Sequence, residues 1–292
     1  MKLIRFGEMG KERPGMLLRD GSVIDCSMFG EDYDENFFGD RGLKRLRRWA
    51  ATFATSAAKV RAPVRYGPPI ARPSKIVCIG LNYRDHARET GAEIPKEPIV
   101  FFKATSASAG PFDDLVIPRG ASKVDWEVEL GVVIGRRTSV VPQARAVDAI
   151  AGYLVVNDFS ERGFQLDHGG QWVKGKSADG FAPLGPHFVT PEEIGNPHDL
   201  KMWLAVNGKT MQNSSTANMI FGIPQIISYV SQFMTLLPGD IISTGTPSGV
   251  GFGRNPQRFL QAGDVIEAGI EGLGKQRQEV VSWQRAAGKQ TA

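Results

Sequence analysis

The chain has 292 residues, 41% hydrophobic and 23% charged, with a formal net charge of +4. That length can bury a sizeable core without disulfides, and Cys26 and Cys78 match no metal or redox spacing, which fits a reducing cytoplasm. No stretch approaches the roughly 18 apolar residues of a membrane span, and MKLIRFGEMG lacks the apolar core of a signal peptide, so no membrane association is expected.

Residues 1–70 read as a small N-terminal α/β domain. The alternating segments LIRF and GMLLRDGSVIDC suggest a hairpin turning at Asp20-Gly21, and a single helix is expected around residues 41–59. Lys44, Arg45, Arg47 and Arg48 lie on that helix among Leu43, Leu46 and Trp49. Their helical spacing predicts a solvated face or a subunit contact rather than a nucleic-acid surface. The proline-rich run at 62–73 reads as an extended linker, and the domain boundary is placed there.

From 71 to 284 the pattern is of short strands: KIVCIG, IVFFK, VDWEVELGVVIG, IAGYLVVNDF, KMWLAVNG, DIISTGTP and DVIEAGI. Asn207-Gly208 is a hairpin signal. Helices are expected chiefly within 83–90, 143–150 and 223–235. Without regular βα alternation, the fold class expected is α+β, mainly β. Residues 285–292 are expected to form a disordered tail.

Two clusters carry chemistry. In Asp125-Trp126-Glu127-Val128-Glu129-Leu130, residues two apart share a strand face, which places Glu127 beside Glu129. Two adjacent carboxylates repel unless a cation or solvent separates them. The apolar strand Tyr153 to Asn157 ends in Asp158, a third acid in need of a partner. Three carboxylates suit a hard divalent ion, while a solvated polar edge explains the pattern without one. The second cluster lies in Gly80 to Gly91, where His86 and Glu89 are at i and i+3 and can meet on one helical face. A carboxylate beside a histidine fixes its tautomer and raises its basicity, as a general base for water requires; an ordinary surface ion pair has the same spacing.

Together these residues resemble the fumarylacetoacetate hydrolase family over about residues 72–283. The motifs are G-x-N-Y-x-x-H-x-x-E at Gly80 to Glu89, E-x-E at Glu127 and Glu129 followed by Asp158, Gly175-Lys176-Ser177-Ala178-Asp179, and T-G-T-P-x-G-V-G at Thr244 to Gly251. The resemblance implies a mixed β-sandwich roll, usually dimeric, acting on a small 2,4-diketo acid. It implies Mg²⁺ or Mn²⁺ on Glu127, Glu129 and Asp158, with His86 and Glu89 activating water. Lys176 would stabilise the developing enolate or oxyanion, and Arg162, Gln165, Asp179 and Thr246 would meet the substrate. The run Ser160 to Gln165, continuing through Gly169-Gly170-Gln171-Trp172 to Lys176, is similar to hydrolases of 2,4-diketo-3-deoxy-rhamnonate and -fuconate, which release pyruvate and lactate. Many relatives carry Asp-Thr-Phe where this chain has Asp179-Gly180-Phe181. The same scaffold also serves lyases and decarboxylases of the ureidoglycolate and oxaloacetate type; the intact pair His86 and Glu89 favours hydrolysis.

Overall fold

Short runs of valine, isoleucine and leucine punctuated by glycine and proline build two sheets, and the ends of their central strands hold the site. The computed structural model describes residues 1–290, with side chains through 286. In chain order its main elements are β1 (Lys2–Phe6), β2 (Arg13–Leu17), β3 (Val23–Asp25), α1 (Gly42–Phe53), β4 (Ile76–Gly80), α2 (Arg84–Thr90), β5 (Ile99–Lys103), β6 (Val128–Ile134) and β7 (Ile150–Asn157). They continue as α3 (Arg162–Leu166), α4 (Val173–Lys176), β8 (Phe188–Val189), β9 (Lys201–Val206), β10 (Lys209–Ser215), α5 (Ile223–Phe233), β11 (Ile241–Ser243), β12 (Val265–Ile270), β13 (Gly274–Val281) and α6 (Trp283–Gln290).

The larger sheet runs β3-β2-β1-β8-β7-β6-β11-β4-β5, with Tyr66–Gly67 also paired to β1. Its middle strands β6 and β7 are buried at every position but Ile150, as expected for strands covered on both faces. Gly131 permits this pairing, because a Cβ there would lie 2.5 Å from Leu154 Cδ1. The second sheet runs β10-β9-β12-β13 and ends on Leu115–Val116. Strands β6 and β7 pack on β9, β12 and β13, so the mainly β, α+β fold is a sandwich with one shared core.

The hairpin signals act as turn chemistry predicts. Asn207 and Gly208 take φ of 51° and 74°, and Gly21 takes 82° at the turn between β2 and β3. Helix α1 is shorter than 41–59, ending at Phe53, and the helix expected over 143–150 is a 3₁₀ helix, Gln143–Ala149. Strand β13 was not anticipated, since Gln276 and Gln278 hold two of its inward positions and buried apolar residues come only at its end, Val280 and Val281. The N-terminal strands are hydrogen-bonded into the larger sheet through β1 and β8. Where a tail was expected from 285, α6 continues to Gln290; Ser282 Oγ accepts from Arg285 N at 3.3 Å and caps its start. Residues 291–292 of that expectation lie outside the described residues.

Candidate active site

The acids meet where β6 begins and β7 ends. Val124–Asp125 pairs antiparallel with Ser160–Glu161, and between these bridges and the main strands the chains are tied twice. Asp158 N donates to Glu127 O at 2.8 Å, and Glu127 N donates to Asn157 Oδ1 at 3.0 Å. Trp126 is buried opposite, its Nε1 donating to Gly249 O at 3.1 Å. These constraints turn Glu127, Glu129 and Asp158 toward one point. Oxygens of the three, all buried, lie within 4.8 Å of one another.

Cations and dipoles surround them. Lys176 Nζ donates to Glu127 Oε2 at 2.7 Å and Asp158 Oδ2 at 2.9 Å. Arg162 donates to Glu127 Oε1 at 2.6 Å, to Asp125 Oδ2 at 2.8 and 2.9 Å, and to Gln165 Oε1 at 3.1 Å. Glu129 Oε2 accepts from Ser243 Oγ at 2.6 Å and Gly245 N at 2.9 Å. Burial opposes the charge on Glu127, yet Lys176 and Arg162 outweigh it and hold that carboxyl down at about 2. Burial, with Asp158 and Glu127 adding repulsion, pushes the Glu129 carboxyl well above its usual range. Three converging oxygen donors, one of them penalised by its neighbours' charge, fit a hard divalent cation.

Short helices deliver the cations. Glu161 caps α3 by accepting from Phe164 N, which fixes Arg162 at the helix start. Gly175 lets α4 lie against that turn, since a Cβ there would meet Glu161 O at 2.4 Å.

His86 comes from the opposite side. Asn82 anchors the base of its segment, donating to Thr244 O at 2.7 Å and Phe221 O at 3.1 Å, and Gly91 (φ 65°) closes α2. His86 Nδ1 is 3.1 Å from Glu89 Oε2, and Glu89 Oε1 accepts from Gly249 N at 2.9 Å. The carboxylate is thereby fixed by the main chain before it orients the imidazole.

A cavity of about 300 Å³ joins the two clusters, lined by His86, Glu127, Glu129, Arg162, Gln165, Lys176 and Thr246. Asp158 is fully buried and does not line it. Thr246 Oγ1 donates to Val128 O at 3.0 Å and accepts from Gln212 Nε2 at 2.8 Å. Asp179 departs from expectation: it is exposed and does not line the cavity. The turn from Ala178 to Phe181 buries Phe181 and leaves the aspartate at its outer corner.

Two participants carry no motif. Lys103, fully buried at the end of β5, donates to Asp158 Oδ1 and, at 2.9 Å, to Phe159 O. A lysine closing the apolar run Ile99 to Phe102 was the one available signal. Asp125 is the other; besides Arg162 it accepts from Gly251 N at 2.7 Å and Phe252 N at 3.0 Å.

Comparison with known proteins gives this arrangement a context. A family model described as "Fumarylacetoacetate (FAA) hydrolase C-terminal" matches residues 75–281. A Burkholderia multivorans protein, named only in general terms as a hydrolase, is 49% identical over 95% of this chain and 98% of its own length. Among solved structures, fumarylacetoacetate hydrolase from Exiguobacterium antarcticum is 32% identical with a TM-score of 0.83, covering 97% of this chain and 99% of that one. Maleylpyruvate hydrolase from Sphingobium sp. SYK-6, in complex with manganese(II) and pyruvate, is 29% identical with a TM-score of 0.80, over 97% and 99% of the two chains.

Proposed function

The chain belongs to the fumarylacetoacetate hydrolase family, and from that premise we propose that it hydrolyses the C3–C4 bond of a 2,4-diketo acid, releasing pyruvate and a second acid. The observation that carries this reading is the placement of His86, held 3.1 Å from Glu89, on the same cavity as Glu127 and Glu129. Adding water to a ketone needs a base to take its proton, the role for which His86 is placed, whereas loss of CO₂ from a β-keto acid adds no water.

Glu127, Glu129 and Asp158 would hold Mg²⁺ or Mn²⁺, which when bound supplies Lewis acidity to the 1-carboxylate and 2-oxo end of the substrate. His86 removes a proton from a water molecule as that water adds to the C4 carbonyl, and Glu89 stabilises the imidazolium that results. Lys176 offers its ammonium to the oxygen on which charge develops. Arg162, Gln165 and Thr246 line the wall against which the substrate is oriented. When the C3–C4 bond breaks, the hydroxyl stays on the acyl carbon and C3 takes up a proton. Water is thus divided between the two products.

The acyl group proposed here includes the 6-deoxy sugar acids, for which lactate is the second product. A homodimer in a reducing cytoplasm completes the reading; both cysteines are free and buried. The test is pyruvate release from a panel of acylpyruvates and diketo-deoxy sugar acids, with and without chelation. Activity that persists after exhaustive chelation, or oxaloacetate turned over in preference to every diketo acid, would overturn it.

A further inference from the structure

The cavity lining mixes two kinds of residue. Some carry charge; Ile99, Phe101, Leu166, Trp172, Val250 and Phe252 are apolar. Part of the apolar lining is tightly packed. Phe101 and Trp172 meet at 5.3 Å with their rings 67° apart, and Gly80 makes room for the indole, since a Cβ there would lie 2.8 Å from Trp172.

Among the described residues, the cations lining the cavity are Lys176 and Arg162, and both are committed. Lys176 is bound to two carboxylates and lies 5.0 Å from the Phe101 ring centroid. Arg162 is bound to Asp125 and Glu127, with Phe252 at 5.8 Å. Each of these cations is already held by two carboxylates, which leaves it little charge to offer a second anionic group. The charge balance agrees. Within the acid cluster itself, four carboxylates (Asp125, Glu127, Glu129 and Asp158) face three cations (Lys103, Arg162 and Lys176), so one divalent ion would leave a single net positive charge there. The 1-carboxylate of a diketo acid matches that charge by itself.

We propose that this cavity selects 2,4-diketo acids whose acyl tail is uncharged and ends in an apolar group, with Phe101, Leu166, Trp172 and Phe252 setting the preference. The inference rests on the hydrolase reading above and narrows its substrate class. A carboxylate at the far end of the tail would lose water against these rings and alkyl groups, with only uncharged donors such as Gln165 to replace it, since Lys176 and Arg162 are held by carboxylates. A chain of hydroxyls would meet the same deficit at each oxygen. A terminal methyl meets none, and a 6-deoxy sugar acid that yields lactate adds a single hydroxyl to it.

The decisive comparison is butyrylpyruvate against succinylpyruvate, which differ by a methyl in place of a carboxylate at the tail end. With the Mn²⁺-loaded enzyme at neutral pH, kcat/KM for pyruvate release should favour the butyryl compound by about 50-fold or more. Leu166 is 42% exposed at the cavity wall, so a lysine fits there without unfolding the protein. Leu166→Lys should shrink that preference about tenfold, chiefly by lowering KM for succinylpyruvate. Equal or faster turnover of succinylpyruvate by the unaltered enzyme would overturn the proposal while leaving the hydrolase reading intact. No pyruvate from either compound would overturn both.

Discussion

Strand β7 separates two buried polar regions built on opposite principles. At its C-terminal end, Asp158 joins Glu127 and Glu129 in a cluster of like charges. Midway along it, Gln276 Nε2 donates to the carbonyls of Val155, Pro183 and Gly185 at 2.9, 3.0 and 3.1 Å, and Gln278 Nε2 donates to Pro111 O at 2.6 Å. His187 lies in the same neutral seam, where burial, with Lys2 adding to it, pushes its imidazole down to about 4. The amide nitrogens tie carbonyls of separate segments together, while Gln276 Oε1 and Gln278 Oε1 find no hydrogen-bond partner among the described residues. The acids repel one another; Lys103, Arg162 and Lys176 offset Asp158 and Glu127, but Glu129 makes no ion pair among the described residues and its charge stays opposed. Proximity of polar groups therefore serves the fold in one place and opposes it in the other.

Glu129→Gln should break the contrast most sharply. It keeps an oxygen to accept from Ser243 and Gly245 but removes the charge that Asp158 and Glu127 oppose. We expect kcat/KM to fall by about 10³-fold and Mn²⁺ affinity to drop, while the metal-free protein melts at a higher temperature. Calorimetry of the metal-free variant is the check, and a lower melting temperature would refute the account of repulsion. His86→Ala should reduce kcat by about 10²-fold with little change in Mn²⁺ affinity by titration calorimetry. Glu89→Gln should fall between it and the unaltered enzyme, because it keeps the acceptor for Gly249 N but loses the charge beside the imidazole. Loss of metal binding in His86→Ala would place the histidine among the ligands instead.

On the neutral side the signature reverses. Gln276→Ala should destabilise the fold by about 2 kcal/mol in urea unfolding, leaving Mn²⁺ affinity unchanged. The smallest effect near neutrality belongs to His187. Unfolded, its imidazole titrates near 6.5; folded, near 4. Between those values the unfolded chain binds the extra proton, so stability falls as pH drops below 6.5 and stops falling near 4. The loss is roughly 1 kcal/mol by pH 6, and His187→Gln should flatten that slope in melting curves.

The same contrast explains what the sequence disclosed. The acids announced themselves because Glu127 and Glu129 alternate along a strand and Asp158 ends an apolar one, and His86 and Glu89 did so through helical spacing. Strand β13 stayed hidden because glutamines occupy the inward positions of its first half. Their burial is justified by carbonyls far away in the chain, at Pro111 and Pro183, which no local pattern reveals. Lys103 was hidden for the same reason: its partner Asp158 lies 55 positions away. Asp179 shows the reverse: it is near Lys176 in the motif, yet it stands exposed and outside the cavity lining.

The edge of β1 has a consequence for synthesis. Arg5 and Phe6 pair with Gly67 and Tyr66, but Lys2 and Leu3 wait for Val189 and Phe188. A ribosome adding roughly 5–20 residues per second leaves that half-edge open for on the order of ten seconds or more after the first hairpin can form. During that interval the nascent chain displays unpaired main-chain donors and acceptors to its neighbours on the same message. Lys2, charged and placed at the end of the open stretch, is the kind of residue that discourages such pairing until its own partner emerges.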